Sequence, residues 1–203
     1  MNKKSILVVI AILLFIIICG YLTGKNNSAT DEYLSGKYNI EIKIKDYGTI
    51  DATLDADVAP ITVTNFVDLV KSGYYTGLKF HRIIDGFMMQ GGAGNSRNTI
   101  KGEFSSNGIT NNISHVRGTI SMARSSDPDS ASTQFFIVQS DSTYLDGNYA
   151  AFGTVTNGMD VVDKVCKNVD VEDNNGTVAL ENQPVIEYIK VIEQVSYEKN
   201  QKC

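Results

Sequence analysis

Apolar and polar residues alternate most regularly near the start of the central part of this chain. Tyr and Ile alternate with Asn, Glu and Lys at 38–44, and the same period of two continues at 50–54. This pattern is typical of strands with one buried face, because successive side chains point to opposite faces of a sheet. Asp46, Tyr47 and Gly48 separate the two stretches and predict a turn. We therefore expect an antiparallel hairpin.

A helical pattern follows the hairpin. Pro60 stands at its start and Gly73 at its end, as these residues favour, and the apolar positions between them fall largely on one face. Another short helix is predicted at 159–167. The remaining apolar stretches are short and bounded by Gly and Asn, which is typical of strands. These predicted strands lie at 79–84, 87–90, 118–122, 134–138, 151–155 and 185–195. The chain is thus expected to form one mainly β domain, a closed antiparallel barrel plugged by two helices.

The N-terminus has a different pattern. Lys3 and Lys4 precede the apolar stretch 6–19, and the 20 residues of 5–24 carry no charge. As a helix they would measure about 30 Å, which matches the hydrocarbon thickness of a bilayer. Lysines before such a segment favour the cytoplasmic side. We expect a single-pass anchor at 1–24 that leaves the rest of the chain on the extracytoplasmic side of the cell membrane.

Two alternatives to an anchor stay open. In a lipoprotein signal Cys19 would be acylated after cleavage, although Ile18 stands where a small residue is usual. In a secreted protein the segment would be cleaved off, although no small-residue cleavage site is evident. After the segment, the polar stretch 25–36 predicts a flexible tether, 37–197 the folded domain and 198–203 a C-terminal tail.

Charge and cysteine content exclude several functions. The net charge is −5, and since residues 1–27 carry three lysines and no acid, residues 28–203 hold −8. An acidic domain without a basic stripe argues against nucleic-acid binding. It also leaves membrane contact to the N-terminal segment. Three scattered cysteines and two histidines are too few for a disulfide framework or a zinc site.

Four fragments carry the candidate chemistry. The first, 80–92, sets Arg82 and Gln90 among large apolar residues, and the others lie at 120–124, 132–137 and 144–153. In order and spacing they resemble the signature of the cyclophilin family of peptidyl-prolyl cis-trans isomerases. The resemblance extends from about residue 38 to 195. It implies a closed eight-stranded antiparallel β-barrel capped by two α-helices.

The resemblance also implies the residues of the site. Arg82 would stabilise the twisted amide, Gln90 would position its guanidinium, and Phe87 would help to hold the proline ring. The residues expected to bind substrate are His81, Ile84, Met88, Ala123, Arg124, Gln134, Phe136, Tyr144, Leu145 and Tyr149. Such an isomerase needs no metal or cofactor, and its partners would be proline-containing unfolded or exported polypeptides.

The residue types suit conformational chemistry. Rotation about an X-Pro bond crosses a barrier of about 18–20 kcal/mol, and Arg offers a permanent charge with a rigid fork of donors. A donor that favours the twisted amide over the planar one accelerates rotation without a covalent intermediate. A hydrolase using His81 with a serine is disfavoured, because the chain has no G-x-S-x-G motif. The alternative function is a non-catalytic proline-segment binding module or holdase chaperone at the membrane surface.

Three positions depart from the usual family pattern. Asp85 stands where Pro is common, and Tyr149 replaces a frequent His at the rim of the proline pocket. Tyr144 occupies a place often held by the Trp that is associated with cyclosporin binding. We therefore expect any binding of cyclosporin to be weak.

Overall fold

The computed structural model describes residues 33–195. Its eight strands and two α-helices are β1 (Lys37–Ile44), β2 (Gly48–Asp55), α1 (Pro60–Lys71), β3 (Phe80–Ile84), β4 (Met88–Gly91), β5 (Thr119–Met122), β6 (Phe135–Val138), β7 (Ala151–Asn157), α2 (Met159–Asn168) and β8 (Ile186–Val195). Each strand and helix predicted from the sequence pattern is present. Single 3₁₀ turns at Ser105–Asn107 and Thr143–Leu145 were not expected.

The predicted segments at both termini fall largely outside this range. The anchor at 1–24 with its alternatives, the tether up to residue 32, and the tail at 198–203 lie outside the described residues. Leu34 and Gly36, at the end of the expected tether, donate backbone hydrogen bonds to Thr64 Oγ1 and Asp57 Oδ1. Within the described part of the chain, neither helix has the length and apolar character needed to cross a bilayer.

All eight strands belong to one antiparallel sheet with the order β3-β4-β6-β5-β7-β2-β1-β8. The hairpin predicted at the start is its β1–β2 pair, in which Ile42 lies opposite Ile50. The sheet curls into a half-barrel around an apolar core. Phe66 of α1 fills this core, with its ring 5.0–5.3 Å from those of Tyr75, Phe135 and Phe152.

The expected closure of the barrel is not confirmed. Strands β3 and β8 form the two ends of the sheet and are not paired along their lengths in the described range. Contact between them is limited to a short stretch around the Lys79–Val185 bridge, where Phe80 N–H donates to the Pro184 carbonyl over 2.9 Å and Ile186 N–H donates to the Leu78 carbonyl over 2.8 Å. Pro184 has no N–H with which to extend this pairing. The outer edge of β3 instead bonds to the loop before β8: Ile83 N–H donates to the Gly176 carbonyl over 2.8 Å, and Val178 N–H donates to the His81 carbonyl over 3.0 Å.

A buried carboxylate holds the N-terminus of α1. Ala59, the capping residue, makes no side-chain hydrogen bond. Glu103, only 1% exposed, accepts from Ile61 N–H over 3.0 Å and Thr62 N–H over 2.8 Å. Negative charge and acceptor oxygens stabilise a helix N-terminus, so this distant residue supplies the missing cap.

Strands β4 and β6 are buried on both faces, and this double burial creates a second apolar cluster. Their inward residues, including Met89 and Phe135, belong to the main core. Their alternate residues Met88, Phe136 and Val138 form a separate cluster on the opposite face of the sheet. Because side chains alternate along these two short strands, one face of the sheet packs into the main core and the other forms the separate cluster.

Candidate active site

A row of opposed residues across four strands forms the base of the site. Arg82 on β3 lies opposite Gln90 on β4, Gln90 lies opposite Phe136 on β6, and Phe136 lies opposite Ser121 on β5. Side chains directly opposite each other in an antiparallel sheet are neighbours on one face. Strand register thus brings together residues up to 54 positions apart in the sequence.

A cavity of about 210 Å³ opens over this row. Its lining residues were all predicted from the sequence: Arg82, Phe87, Met88, Gln90, Ala123, Arg124, Phe136, Leu145 and Tyr149. Six of the nine lining side chains are apolar or aromatic, and the guanidinium groups of Arg82 and Arg124 stand with Gln90 at the edge. A concave site that combines apolar walls with a few polar groups is the usual form of a ligand pocket.

Three hydrogen bonds to two residues orient the guanidinium of Arg82. Its Nη1 donates to Gln90 Oε1 over 3.4 Å. Its Nε donates to the Asn175 carbonyl over 2.9 Å, and its Nη2 donates to Asn175 Oδ1 over 3.3 Å. Gln90 thus contacts the guanidinium that it was expected to position, while the contact of Asn175 was not anticipated.

Gln90 also connects the cavity to a second one. Its Nε2 donates to Gln134 Oε1 over 3.0 Å. Gln134 lines a neighbouring polar cavity of about 320 Å³, which shares Gln90, Ala123 and Arg124 with the first. The predicted Gln134 therefore lies beside the apolar pocket, and the two cavities form a continuous groove.

The floor of the apolar cavity rests on a buried histidine. The His115 ring, 1% exposed, stacks on Phe136 with a centroid distance of 6.1 Å. Its Nδ1 lies 2.8 Å from Asp146 Oδ1 and its Nε2 lies 2.9 Å from Ser121 Oγ. Burial lowers the pKa of His115 despite the opposing effect of Asp146. The ring is therefore neutral at pH 7, donating to the carboxylate and accepting from the hydroxyl.

The Ser121–His115–Asp146 arrangement is structural. Ser121 is fully buried within β5, so a substrate carbonyl cannot reach its hydroxyl. Asp146 also accepts from Ser114 Oγ and from the His115 backbone N–H. These bonds fix the chain that carries Leu145, a wall residue of the cavity.

Arg124 holds another wall in place. Its guanidinium lies 4.8 Å from the centroid of the Tyr149 ring and 5.1 Å from that of Phe104. It also donates to the carbonyls of Asn148 and Ser125. Tyr149 in turn meets the Phe136 ring edge-on at 5.9 Å. Position 149, where the family often has His, thus carries an aromatic ring, and the guanidinium of Arg124 lies over that ring.

Three predicted binding residues lie at the margin of the site. Tyr144 is 69% exposed and reaches the site through its ring contact with Phe87, at 6.0 Å between centroids. Ile84 packs against the Met88 cluster from outside the cavity. His81 does not line the cavity; burial and then the Arg82 charge lower its pKa, and its buried Nδ1 has no hydrogen-bond partner in the described range.

The turn that carries Phe87 is tied to the end of β6. Gln139 accepts from Gly86 N–H over 2.6 Å, and its Nε2 donates to Asp85 Oδ1 over 3.0 Å. Gln139 N–H also donates to the Phe87 carbonyl. The carboxylate at position 85, a departure from the family pattern, thus helps to secure the turn.

Comparisons with known proteins agree with this geometry. Residues 39–192 match the family described as "Cyclophilin type peptidyl-prolyl cis-trans isomerase/CLD". The chain belongs to this family. Peptidyl-prolyl cis-trans isomerase A of Dickeya dadantii is 43% identical over 155 residues, which cover 72% of this chain and 81% of that protein. Peptidyl-prolyl cis-trans isomerase B of Escherichia coli is 42% identical over 120 residues, covering 54% and 73%.

Solved cyclophilins share the fold. A cyclophilin-type isomerase of Cryptosporidium parvum superimposes with a TM-score of 0.67 at 25% identity, covering 78% of this chain and 99% of its own. The same protein in the presence of the dipeptide Ala-Pro gives 0.66 at 26% identity, covering 77% and 99%. The cyclophilin assignment thus rests on sequence and structure together.

Sequence reasoning missed three supports of this cyclophilin site: Asn175, His115 and Gln139. Asn175 lies in a polar loop, 93 residues from Arg82, that the motif fragments do not include. His115 and Gln139 lie just outside the fragments 120–124 and 132–137. His115 is one of two histidines in the chain and stands just before the strand predicted at 118–122, which is a weak signal. We see no pattern in the sequence that would have identified the other two.

Proposed function

We propose that this enzyme accelerates rotation about X-Pro bonds by holding the proline ring in the 210 Å³ cavity and stabilising the twisted amide with Arg82. The observation that carries the proposal is a guanidinium, fixed by Gln90 and Asn175, at the edge of an apolar wall. A permanent cation beside an apolar ring pocket suits a nitrogen whose lone pair becomes available as the amide twists. A planar amide nitrogen offers no such lone pair.

The free energy required is within reach of such a site. Uncatalysed exchange takes roughly tens to hundreds of seconds. Reaching milliseconds needs a factor of about 10⁴–10⁵, or roughly 6–7 kcal/mol. One preorganised donor is worth about 10²–10³ in rate. Fixing the ring against Phe87, Met88 and Phe136 while the preceding carbonyl rotates supplies a further part.

The substrates would be flexible, proline-containing polypeptides. The groove formed by the two cavities is open, and Ala123 and Arg124 line both, so an extended backbone would lie along them. The likeness to a cyclophilin studied in the presence of Ala-Pro supports this class of ligand. Tyr144 lies exposed at the rim, in the place often held by Trp, so we still expect cyclosporin to bind weakly.

We further propose that the enzyme assists the folding of exported proteins from a membrane-tethered position. Support comes from Lys3, Lys4 and the uncharged segment that follows. Mass measurement of the protein extracted from membranes tests this. An intact chain supports the anchor, acylation at Cys19 supports the lipoprotein, and a shortened, unmodified chain recovered from the medium supports secretion.

The activity is tested with the full-length chain in mild detergent and a proline-containing peptide whose cis and trans forms are distinguished by NMR. We expect Arg82→Ala to lower kcat about 10²–10³-fold. Arg97→Ala is the matched control, because Arg97 is an exposed arginine over the Tyr74 ring and outside the cavity. If wild type binds the peptide without accelerating exchange, the binding-module or holdase alternative replaces the enzymatic one.

A further inference from the structure

The loop before β8 contacts the catalytic arginine at two points. Asn175 accepts from Arg82 Nε through its backbone carbonyl, at 2.9 Å, and from Arg82 Nη2 through its side-chain oxygen, at 3.3 Å. One residue therefore engages one whole edge of the guanidinium. A two-point contact with this planar group fixes orientation as well as position.

The hydrogen-bond capacity of Arg82 shows what this contact achieves. Guanidinium has five N–H groups: one on Nε and two on each terminal nitrogen. Asn175 uses Nε–H and one N–H of Nη2, and Gln90 uses one N–H of Nη1. One N–H on Nη1 and one on Nη2 remain for a ligand, since residues 33–195 offer them no other partner. These are the groups that the proposed reaction needs.

A network of turn bonds holds the Asn175 loop itself. Asp173 Oδ1 accepts from Asn175 N–H over 2.9 Å and Thr177 N–H over 3.0 Å, and its Oδ2 accepts from Thr177 Oγ1 over 2.9 Å. Hydrogen bonds from Thr177, chiefly from its backbone N–H, hold the pKa of Asp173 below its usual range. The carboxylate thus stays ionised and keeps the turn closed at neutral pH.

Gly176 then joins the loop to β3. Its φ is +80°, and a Cβ there would lie 2.3 Å from the Ile83 carbonyl oxygen. Its own carbonyl accepts from Ile83 N–H over 2.8 Å. Only glycine allows this close approach, which brings Asn175 beside the strand that carries Arg82.

We propose that Asn175 is a positioning residue that orients the Arg82 guanidinium toward the proline cavity, and that the Asp173–Thr177 turn exists to place it. The inference rests on the proposed function of Arg82. Asn175 touches no part of the cavity itself, so it acts through the arginine.

The test compares Asn175→Ala with Asn174→Ala in the full-length chain. Both asparagines are exposed neighbours in one loop, and of the two only Asn175 bonds to Arg82, so Asn174→Ala is a matched control. Asn175→Ala removes only the 3.3 Å side-chain bond, so we expect it to lower kcat about threefold to tenfold, the net worth of one typical intramolecular hydrogen bond. Peptide affinity should change by less than about twofold, because the apolar wall is intact. Asn174→Ala should leave both unchanged.

Two further measurements separate positioning from general loosening of the loop. In an Arg82→Lys background Asn175→Ala should have no further effect, since lysine cannot make the two-point contact. Asp173→Ala, which releases the turn, should also lower kcat and should speed solvent exchange of the Arg82 Nε–H seen by NMR. An Asn175→Ala effect of equal size in the Lys background would overturn the inference.

The result also distinguishes this inference from the proposed function. If Arg82→Ala leaves turnover intact, the role of Arg82 fails and that of Asn175 falls with it. If Arg82→Ala abolishes turnover while Asn175→Ala matches wild type, only the positioning role is overturned. If both substitutions lower kcat and Asn175→Ala retains its affinity for the peptide, the catalytic role of Arg82 and the positioning role of Asn175 are both supported.

Discussion

The two sides of the cavity are held by different kinds of structure. The apolar side lies on paired strands, where Met88 and Phe136 are 1% and 5% exposed. The cationic side depends on hydrogen bonds between half-buried Arg82 and exposed Asn175. Packing therefore determines the shape of the pocket, whereas the charge at its edge is held by hydrogen bonds, two of them to a loop residue. Substitutions on the two sides should separate stability from turnover.

The largest expected effect is on the packed side. Phe136→Ala removes a ring that contacts His115 and Tyr149 and leaves a void between them. We expect the free energy of unfolding to fall by about 3–5 kcal/mol, together with loss of peptide affinity. Chemical denaturation followed by circular dichroism measures the first, and peptide titration the second.

Met88→Leu is the control for that substitution. It keeps the volume of a residue in the same cluster, and such exchanges cost less than about 1.5 kcal/mol. Equal stability of Phe136→Ala and wild type would show that the wall is not part of the packed structure, and the contrast between the two sides would be lost.

The paired strands of the fold were more predictable from the sequence than the residues that line the cavity. Alternation at 38–44 and 50–54 gave the hairpin directly, because one buried face imposes a period of two. The adjacent Phe135 and Phe136 were less informative, since both are buried and only the sheet shows that they face the core and the site respectively. Their assignment to the site came from the resemblance to a family.

Contacts of the loop side could not be predicted in the same way. Asn175 carries no periodic signal, and its contact with Arg82 depends on how the loop docks on the edge of β3. The same docking explains why closure of the barrel was overestimated. Counting strands gave eight, but the outer edge of β3 bonds to Gly176 and Val178 instead of to β8. Strand patterns do not reveal which segment occupies a free edge.

A change in stability of intermediate size is expected when the pH is lowered, because the packed side rests on the buried His115. Burial lowers the pKa of His115 below the value of about 6.5 that it has in an unfolded chain. In this pH range the unfolded state therefore binds more protons than the folded state. Stability is fully present above pH 6.5 and decreases as the pH falls, by at most about 1.4 kcal/mol for each pH unit.

Comparison of wild type with His115→Gln tests this dependence. The free energy of unfolding is measured by urea denaturation at pH 7.0 and 5.0, a window above the usual carboxylate range. The decrease should be smaller in His115→Gln, and the remainder is assigned to His81, whose pKa is also lowered. An unchanged decrease would mean that His115 takes up no proton on unfolding.

The smallest expected effect is at the rim. Tyr144 is 69% exposed and contacts the site only through the Phe87 ring, whereas the half-buried Tyr149 packs against Phe136 beneath Arg124. Tyr144→Ala should change the free energy of unfolding by less than about 0.5 kcal/mol and kcat by less than about threefold, because this exposed ring touches the wall at Phe87 alone among the aromatic rings of the described residues. Tyr149→Ala, measured in the same assays, should lower both stability and peptide affinity more. Equal losses from the two substitutions would move the boundary of the packed side outward to include Tyr144, and the distinction between wall and rim would no longer hold.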